Sequence, residues 1–272
     1  MRHADLNALT PQLIALARTA GRSIIEIYDR YAHQAQATFD ALIKQKADQS
    51  PLTHADLASH RLICEGLRYL TPSIPIVSEE DTNRPSCRIT GAQFWLVDPL
   101  DGTKEFLARS GEFTVNIALV RNGAPVWGVV FAPLLDQLYW GGPGIGASRQ
   151  SGNDEEPIHV ARAVANGNRI RIVASKSHLN RETSDFIAQL GDIELIQAGS
   201  SLKFCRVAEG LADLYPRLAP TCEWDTAAAQ AVVEGAGGFV TDLNGVPLRY
   251  GKHDVINPSF VASSVPLATL RL

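Results

Sequence analysis

Phe94-Trp95-Leu96-Val97-Asp98-Pro99-Leu100-Asp101-Gly102-Thr103-Lys104-Glu105-Phe106 is the stretch around which the rest of the chain is organised. Its first four residues are large and apolar, which predicts a short strand buried on both faces. Two carboxylates then leave the strand end, Pro99 fixes the first bend, and Gly102 permits a tight turn. Thr103-Lys104-Glu105-Phe106 can open a helix. Hard divalent cations take oxygen ligands, and Asp98, Asp101 and a backbone carbonyl between them would supply three from one turn. Amides following Gly102 at a helix start would suit a phosphate. Taken alone, a Pro/Asp/Gly loop of this kind reads equally well as an ordinary turn.

Two further acidic sites flank it. Ser78-Glu79-Glu80-Asp81 ends the preceding strand candidate, and Trp224-Asp225-Thr226-Ala227 sets an acid at a helix start. Each has a plain structural explanation, a solvated surface run for 79–81 and an N-cap for Asp225. Together, acids at three element ends suit a two-metal hydrolase. Asp56 is more ambiguous. Thr53-x-x-Asp56 has capping-box spacing, and the same carboxylate could hold a water or a more weakly bound metal.

The surrounding texture predicts a mixed fold. Thr10-Pro11 should start a helix with its buried stripe at Leu13, Leu16, Ala20, Ile24, Ile27 and Tyr31. A strand is expected near 41–46, and a helix after Thr53 that stops at Thr71-Pro72. Strands follow at 75–78, 94–97, 113–120, 126–131 and 138–140, with Asn122-Gly123 as a hairpin turn. The polar stretch 148–157 is the best boundary, dividing the chain into 1–155 and 156–272. Beyond it strands and helices alternate: strands at 169–174 and 193–197, helices at 180–190, 202–209 and 226–235. An α/β pattern thus follows an α+β pattern.

Composition narrows the classes. At 272 residues, 45% hydrophobic and 20% charged, the chain can bury a substantial core and is not disordered. No apolar run approaches the roughly 20 residues of a membrane span, and no secretory leader is expected. A net charge of −4 gives no general attraction for nucleic acid or anionic lipid, so a phosphate-bearing ligand needs local cations. Cys64, Cys87, Cys205 and Cys222 lack metal-site spacing and are expected to be free thiols.

Ser78-Glu79-Glu80, the run from Asp98 to Thr103, and Trp224-Asp225-Thr226-Ala227-Ala228 followed by Gly237-Gly238 resemble, in order and spacing, the signatures of the inositol monophosphatase-like superfamily. These are Mg²⁺-dependent, lithium-sensitive phosphatases, and the resemblance extends over about 10–263. It implies a layered α-β-α-β-α sandwich of the sugar-phosphatase type. It also implies two or three Mg²⁺ ions held by Glu79, Asp98, Asp101, Asp225 and the Leu100 carbonyl. By the same resemblance Thr103 and Glu79 would hold the attacking water, with Asp56 assisting at a further metal or water position. The reaction implied is in-line attack by metal-activated water, without a covalent phosphoenzyme.

Charge suggests the branch. A monophosphate is held by the metals and the turn, whereas a second phosphate needs cations elsewhere. Lys176, Lys203 and Arg217 are candidates, with scattered surface cations as the plain alternative. Gly111-Glu112-Phe113-Thr114-Val115-Asn116-Ile117-Ala118-Leu119, Gly199-Ser200-Ser201-Leu202-Lys203-Phe204-Cys205 and Leu214-Tyr215-Pro216-Arg217 resemble the bacterial 3'(2'),5'-bisphosphate nucleotidases within that superfamily. The implied activity is hydrolysis of adenosine 3',5'-bisphosphate to AMP and phosphate in sulfur assimilation, with the sulfated analogue as a further substrate. Asp101, Gly102, Thr103 and Lys104 would contact substrate from the first half. Ser200, Ser201, Lys203, Arg217 and Asp225 would do so from the second.

An inositol monophosphatase or a sugar-bisphosphate phosphatase is the same-class alternative. A non-catalytic nucleotide-binding scaffold is the different-class one. The expected partner is a small nucleotide, not nucleic acid, and the expected location is the cytoplasm, with peripheral attachment to the inner membrane face left open. Gly142-Pro143-Gly144-Ile145-Gly146 formally matches a dinucleotide fingerprint, but no amphipathic helix follows, so a loop between strands is expected.

Overall fold

The computed structural model describes residues 3–32, 44–45, 51–81, 92–162, 169–175 and 180–269. Helix α1 (His3–Ala32) begins earlier than Thr10-Pro11 and carries Pro11 in its interior. The Thr10 hydroxyl donates to the Leu6 carbonyl at 2.9 Å and accepts the Trp127 indole N–H at 3.1 Å, tying the proline turn to the sheet. Complete burial of Leu6 adds about 1.5–3 kcal/mol, comparable with the roughly 3 kcal/mol an interior proline costs. That offset is invisible to local start signals.

Strands β1 (Lys44–Gln45) and β2 (Pro51–Leu52) form a small antiparallel pair; the rest of the strand expected at 41–46 lies outside the described residues. Helix α2 (His54–Leu70) is capped by Thr53 and ends at Thr71, as its local signals predict.

A seven-stranded sheet follows: β3 (Ile76–Ser78), β4 (Gln93–Asp101), β5 (Thr114–Arg121), β6 (Ala124–Ala132), β7 (Gln137–Gly142), β8 (Gly146–Ser151) and β9 (Asp154–Pro157), in that order. Only β3 and β4 run parallel. Helix α3 (Thr103–Leu107) sits between β4 and β5. The polar stretch expected to be a linker is instead β8 and β9. It reads as linker because β9 is an exposed edge whose Asp154, Glu155, Glu156 and Pro157 discourage further pairing. Gly142 and Gly146 close the β7–β8 hairpin, so the fingerprint-like run is a turn.

The second sheet contains β10 (Ile170–Ser175), β11 (Ile193–Ala198), β12 (Leu214–Arg217), β13 (Phe239–Asp242) and β14 (Phe260–Ser263), ordered β11-β10-β12-β14-β13. Helices α4 (Arg181–Ala188), α5 (Leu202–Ala208) and α6 (Ala227–Gly235) complete the fold.

Three cores define five layers. Leu13, Ile24, Ile63 and Leu67 of α1 and α2 pack with Trp95, Ile117 and Trp127 on one face of the first sheet. Its other face shares a core with Phe204, Ala228, Val232 and Phe260, so α5 and α6 lie between the sheets. Ile187 packs with Ile172, Leu214 and Val261 on the far face of the second sheet. The chain is therefore an α-β-α-β-α sandwich. Gly128 permits a close contact: a Cβ there would stand 2.3 Å from the Ala228 carbonyl oxygen, too close for α6 to keep its place on β6.

Cys64, Cys205 and Cys222 are free thiols; Cys87 lies outside the described residues. No described helix is long and apolar enough to cross a membrane.

Candidate active site

The site forms where β3, β4 and β5 meet the α5 and α6 ends. Ser78 pairs with Val97, and the Glu79 N–H donates to the Val97 carbonyl at 3.0 Å, so parallel pairing sets Glu79 beside Asp98. Along β4–β5, Asp98 pairs with Asn116 and Asp101 with Thr114. Pro99 and Leu100 thus oppose Val115 alone, a bulge that re-aims the acidic strand end. The Ser59 hydroxyl pins the Pro99 carbonyl at 2.7 Å, and the Leu100 N–H donates to Asp98 Oδ1 at 3.0 Å. Gly102 follows at φ +88°, a left-handed turn that favours glycine.

Asp56 does two jobs. Its Oδ2 accepts the Thr53 N–H at 2.8 Å and the Thr53 hydroxyl at 2.6 Å, completing the capping box. Its Oδ1 accepts the Thr103 hydroxyl at 3.2 Å, which also lies 3.4 Å from the Leu100 carbonyl. The cap and the link to Thr103 coexist because a carboxylate has two accepting oxygens.

From the second half, Ser200 takes φ +50° and its hydroxyl lies 2.6 Å from Asp101 Oδ2; the Ser201 hydroxyl lies 2.7 Å from the same atom. Asp225 enters on the short turn Glu223–Asp225, where its Oδ2 accepts the Cys222 N–H at 2.8 Å. Buried Asn257 steadies this turn by donating to the Cys222 carbonyl at 2.8 Å and the Thr226 hydroxyl at 3.0 Å. Burial, followed by the negative charges of Asp101 and Glu79, pushes the Asp225 carboxyl well above its usual range.

Asp101, Thr103, Ser200, Lys203, Arg217 and Asp225 line one cavity of 380 Å³, together with Gly102, Lys104 and Ser201. Lys203 is only 6% exposed. Its ammonium donates to the Ser200 carbonyl at 2.7 Å and sits 5.5 Å from the Tyr215 ring centre. Burial lowers its pKa to about 8, opposed by the Asp101 charge and reinforced by Arg217. Arg217 Nη2 reaches the Pro220 carbonyl at 3.4 Å, while its buried Nε has no hydrogen-bond partner among the described residues. Lys176 lies outside the described residues, so its expected place beside these cations carries no geometry.

Glu105, Ser175, Tyr215 and Thr221 also line the cavity and were not anticipated. Nor were Thr114 and Asn116, which reach Ser200 and Ser201 from β5. Their signal was present: polar residues two apart in an otherwise apolar strand share a face and need partners when buried.

Among the described residues no three acidic, histidine or cysteine side chains already form a ready-made cation cluster. Protein hydrogen bonds instead engage Asp98 Oδ1, Asp101 Oδ2 and Asp225 Oδ2. The donor set nevertheless fits a hard divalent cation. It is all oxygen and partly buried, and burial together with the charges of Asp101 and Glu79 raises the Asp225 pKa, a shift that a bound cation would oppose.

A cavity lined by carboxylates, cations and hydroxyls suits a phosphatase-like hydrolase site, and comparison with known proteins gives the family. Residues 5–269 match the inositol monophosphatase family, and the chain belongs to it. It is 44% identical over 253 residues to the 3'(2'),5'-bisphosphate nucleotidase CysQ of Escherichia coli K12, covering 93% of this chain and 98% of that one. The crystal structure of CysQ from Bacteroides thetaiotaomicron superposes with a TM-score of 0.79 at 40% identity, covering 95% of this chain and 98% of that one. An inositol monophosphatase from Anabaena shares the fold at 24% identity, with a TM-score of 0.73 over 98% of this chain and 94% of that one. The family is one of metal-dependent phosphatases.

Proposed function

We propose that this protein is a Mg²⁺-dependent nucleotidase that hydrolyses adenosine 3',5'-bisphosphate to AMP and phosphate. One observation carries the choice of a bisphosphate: the cavity is lined both by the carboxylates Asp101 and Asp225 and by the cations Lys203 and Arg217. A monophosphate needs only the first group; a second phosphate gives the cations a partner. The buried, unpartnered Arg217 Nε supports that role, because a guanidinium is suited to phosphate. Similarity to the two CysQ proteins supports the same reading and links it to sulfur metabolism.

Glu79, Asp98, Asp101, Asp225 and the Leu100 carbonyl would hold two or three Mg²⁺ ions, with Asp56 at a further metal or water position. Bound Mg²⁺ would supply Lewis acidity and lower the pKa of water. The chain's own residues do the rest. Thr103, held by Asp56, and Glu79 orient the attacking water, and Thr103 can accept the water's proton as it passes its own to Asp56 Oδ1 along the 3.2 Å bond. Gly102, Thr103 and Lys104 receive the scissile phosphate. Ser200 and Ser201 fix Asp101, while Lys203 and Arg217 bind the remote phosphate. On this reading residues 1–155 supply most of the metal-binding groups, and 156–272 complete the site and hold the nucleotide.

Hydrolysis in ¹⁸O-labelled water tests the chemistry. Direct attack on phosphorus puts one label into the phosphate and none into AMP, with EDTA abolishing turnover. Label in AMP, or EDTA-resistant turnover, contradicts it.

A further inference from the structure

Thr114 and Asn116 fall in the run 111–119 that resembles the bisphosphate nucleotidases, but no role was expected of either; both are buried polar residues of β5. Asn116 Nδ2 donates to Ser201 Oγ across 2.9 Å; that oxygen stands 2.7 Å from Asp101 Oδ2 and 3.1 Å from the Asp225 carbonyl. An ionised carboxylate can only accept, and an amide nitrogen can only donate. The Ser201 hydroxyl therefore accepts from Asn116 and turns its single proton toward its two acceptors, Asp101 Oδ2 at the shorter distance and the Asp225 carbonyl. Turning the Asn116 amide over would leave its carbonyl and the Asp101 carboxylate competing for one proton. The observed orientation instead leaves Asn116 Oδ1 buried without a partner among the described residues. Two residues back along β5, on the same face, the Thr114 hydroxyl lies 2.5 Å from Ser200 Oγ, which is 2.6 Å from Asp101 Oδ2.

We propose that Asn116 is a positioning residue for the reaction: by orienting the Ser201 hydroxyl it fixes the Asp101 carboxylate and ties β5 to the start of α5. The inference rests on the reading of Asp101 as part of the reacting site. Asn116 touches neither substrate nor metal in this role; it acts through Ser201.

The test compares Asn116→Leu, Ser201→Ala, their combination and Asp101→Asn. Leucine keeps the volume and removes a buried polar group, so Asn116→Leu should fold with a thermal midpoint no lower than the parent. Its kcat should fall roughly 10- to 100-fold, the usual loss when an outer partner of a ligand is removed, with little change in KM. Calorimetric titration with Mg²⁺ alone should show weaker binding. The double variant should be no worse than the poorer single one, because both substitutions break one chain of bonds. Multiplicative losses, or an Asn116→Leu enzyme with parental kcat and Mg²⁺ affinity, would overturn the inference. If Asn116→Leu is unimpaired while Asp101→Asn is inactive, only the inference fails. If Asp101→Asn itself turns over normally, the reading of the site fails with it.

Discussion

Lys203→Ala separates the two phosphates most sharply. The ammonium is buried, holds the Ser200 carbonyl at 2.7 Å and lines the cavity together with the carboxylates. Removing it from a bisphosphate complex deletes a charge-assisted bond of about 1.5–3 kcal/mol, which is roughly a 10- to 150-fold loss in kcat/KM. Inositol 1-phosphate has no remote phosphate, so it should lose only what the Ser200 bond contributes, about 0.5–1.5 kcal/mol or roughly 2- to 10-fold. Steady-state phosphate release on both substrates at pH 7 gives the ratio. The pH dependence provides a second arm. Lys203 titrates near 8 in the folded protein, so the charge that favours the bisphosphate is present below about 8 and lost above it. Preference for the bisphosphate should therefore decline as pH rises through that value in the parent, and stay flat in Lys203→Ala. Equal losses on the two substrates, or an unchanged pH trend, would remove Lys203 from the second-phosphate site.

Other consequences can be checked with purified protein. Asp98→Asn should fold yet lose turnover by more than about 100-fold, beyond what an outer-shell change costs; near-parental rates at saturating Mg²⁺ would refute its role. Asp225 has a folded pKa raised above its unfolded value, so the metal-free native state holds more protons than the unfolded chain between the two. Its contribution to stability is present at acid pH and is lost as pH rises through the folded pKa. Asp225→Asn should accordingly raise the thermal midpoint of EDTA-treated protein at pH 8 while abolishing turnover, and a lowered midpoint would contradict this. Thr53→Ala should cost about 1 kcal/mol of stability through the lost cap with little effect on kcat. Thr103→Val should do the reverse, since the two threonines use different oxygens of Asp56; matched effects would mean that the two roles are not separable.

Much of the site was legible because its chemistry is concentrated at element ends. The apolar run 94–97 ends in Asp98, and the pairing of β3 with β4 brings Glu79 alongside it. Thr53 and Thr71 bound α2 through local capping that a short window contains. What escaped depends on partners distant in the chain. Helix α1 starts before Pro11 because Leu6 finds a core and Thr10 finds Trp127. The stretch 148–157 is strand only because β7 offers a neighbour to pair with. Asn116 looked like part of a strand, and its meaning lies in a serine 85 residues away. Asp56 was undecided between cap and site because each of its oxygens serves one of them.

The central claim is that a cavity lined by both carboxylates and cations selects a nucleotide bisphosphate. Its most direct measurement is kcat/KM for adenosine 3',5'-bisphosphate, inositol 1-phosphate and fructose 1,6-bisphosphate, side by side in Mg²⁺ and in EDTA. The nucleotide should lead by at least about tenfold, the lower limit of one charge-assisted bond, and all turnover should vanish in EDTA. A lead for inositol 1-phosphate or the sugar bisphosphate, or nucleotide binding with no Mg²⁺-dependent turnover of any substrate, would contradict it.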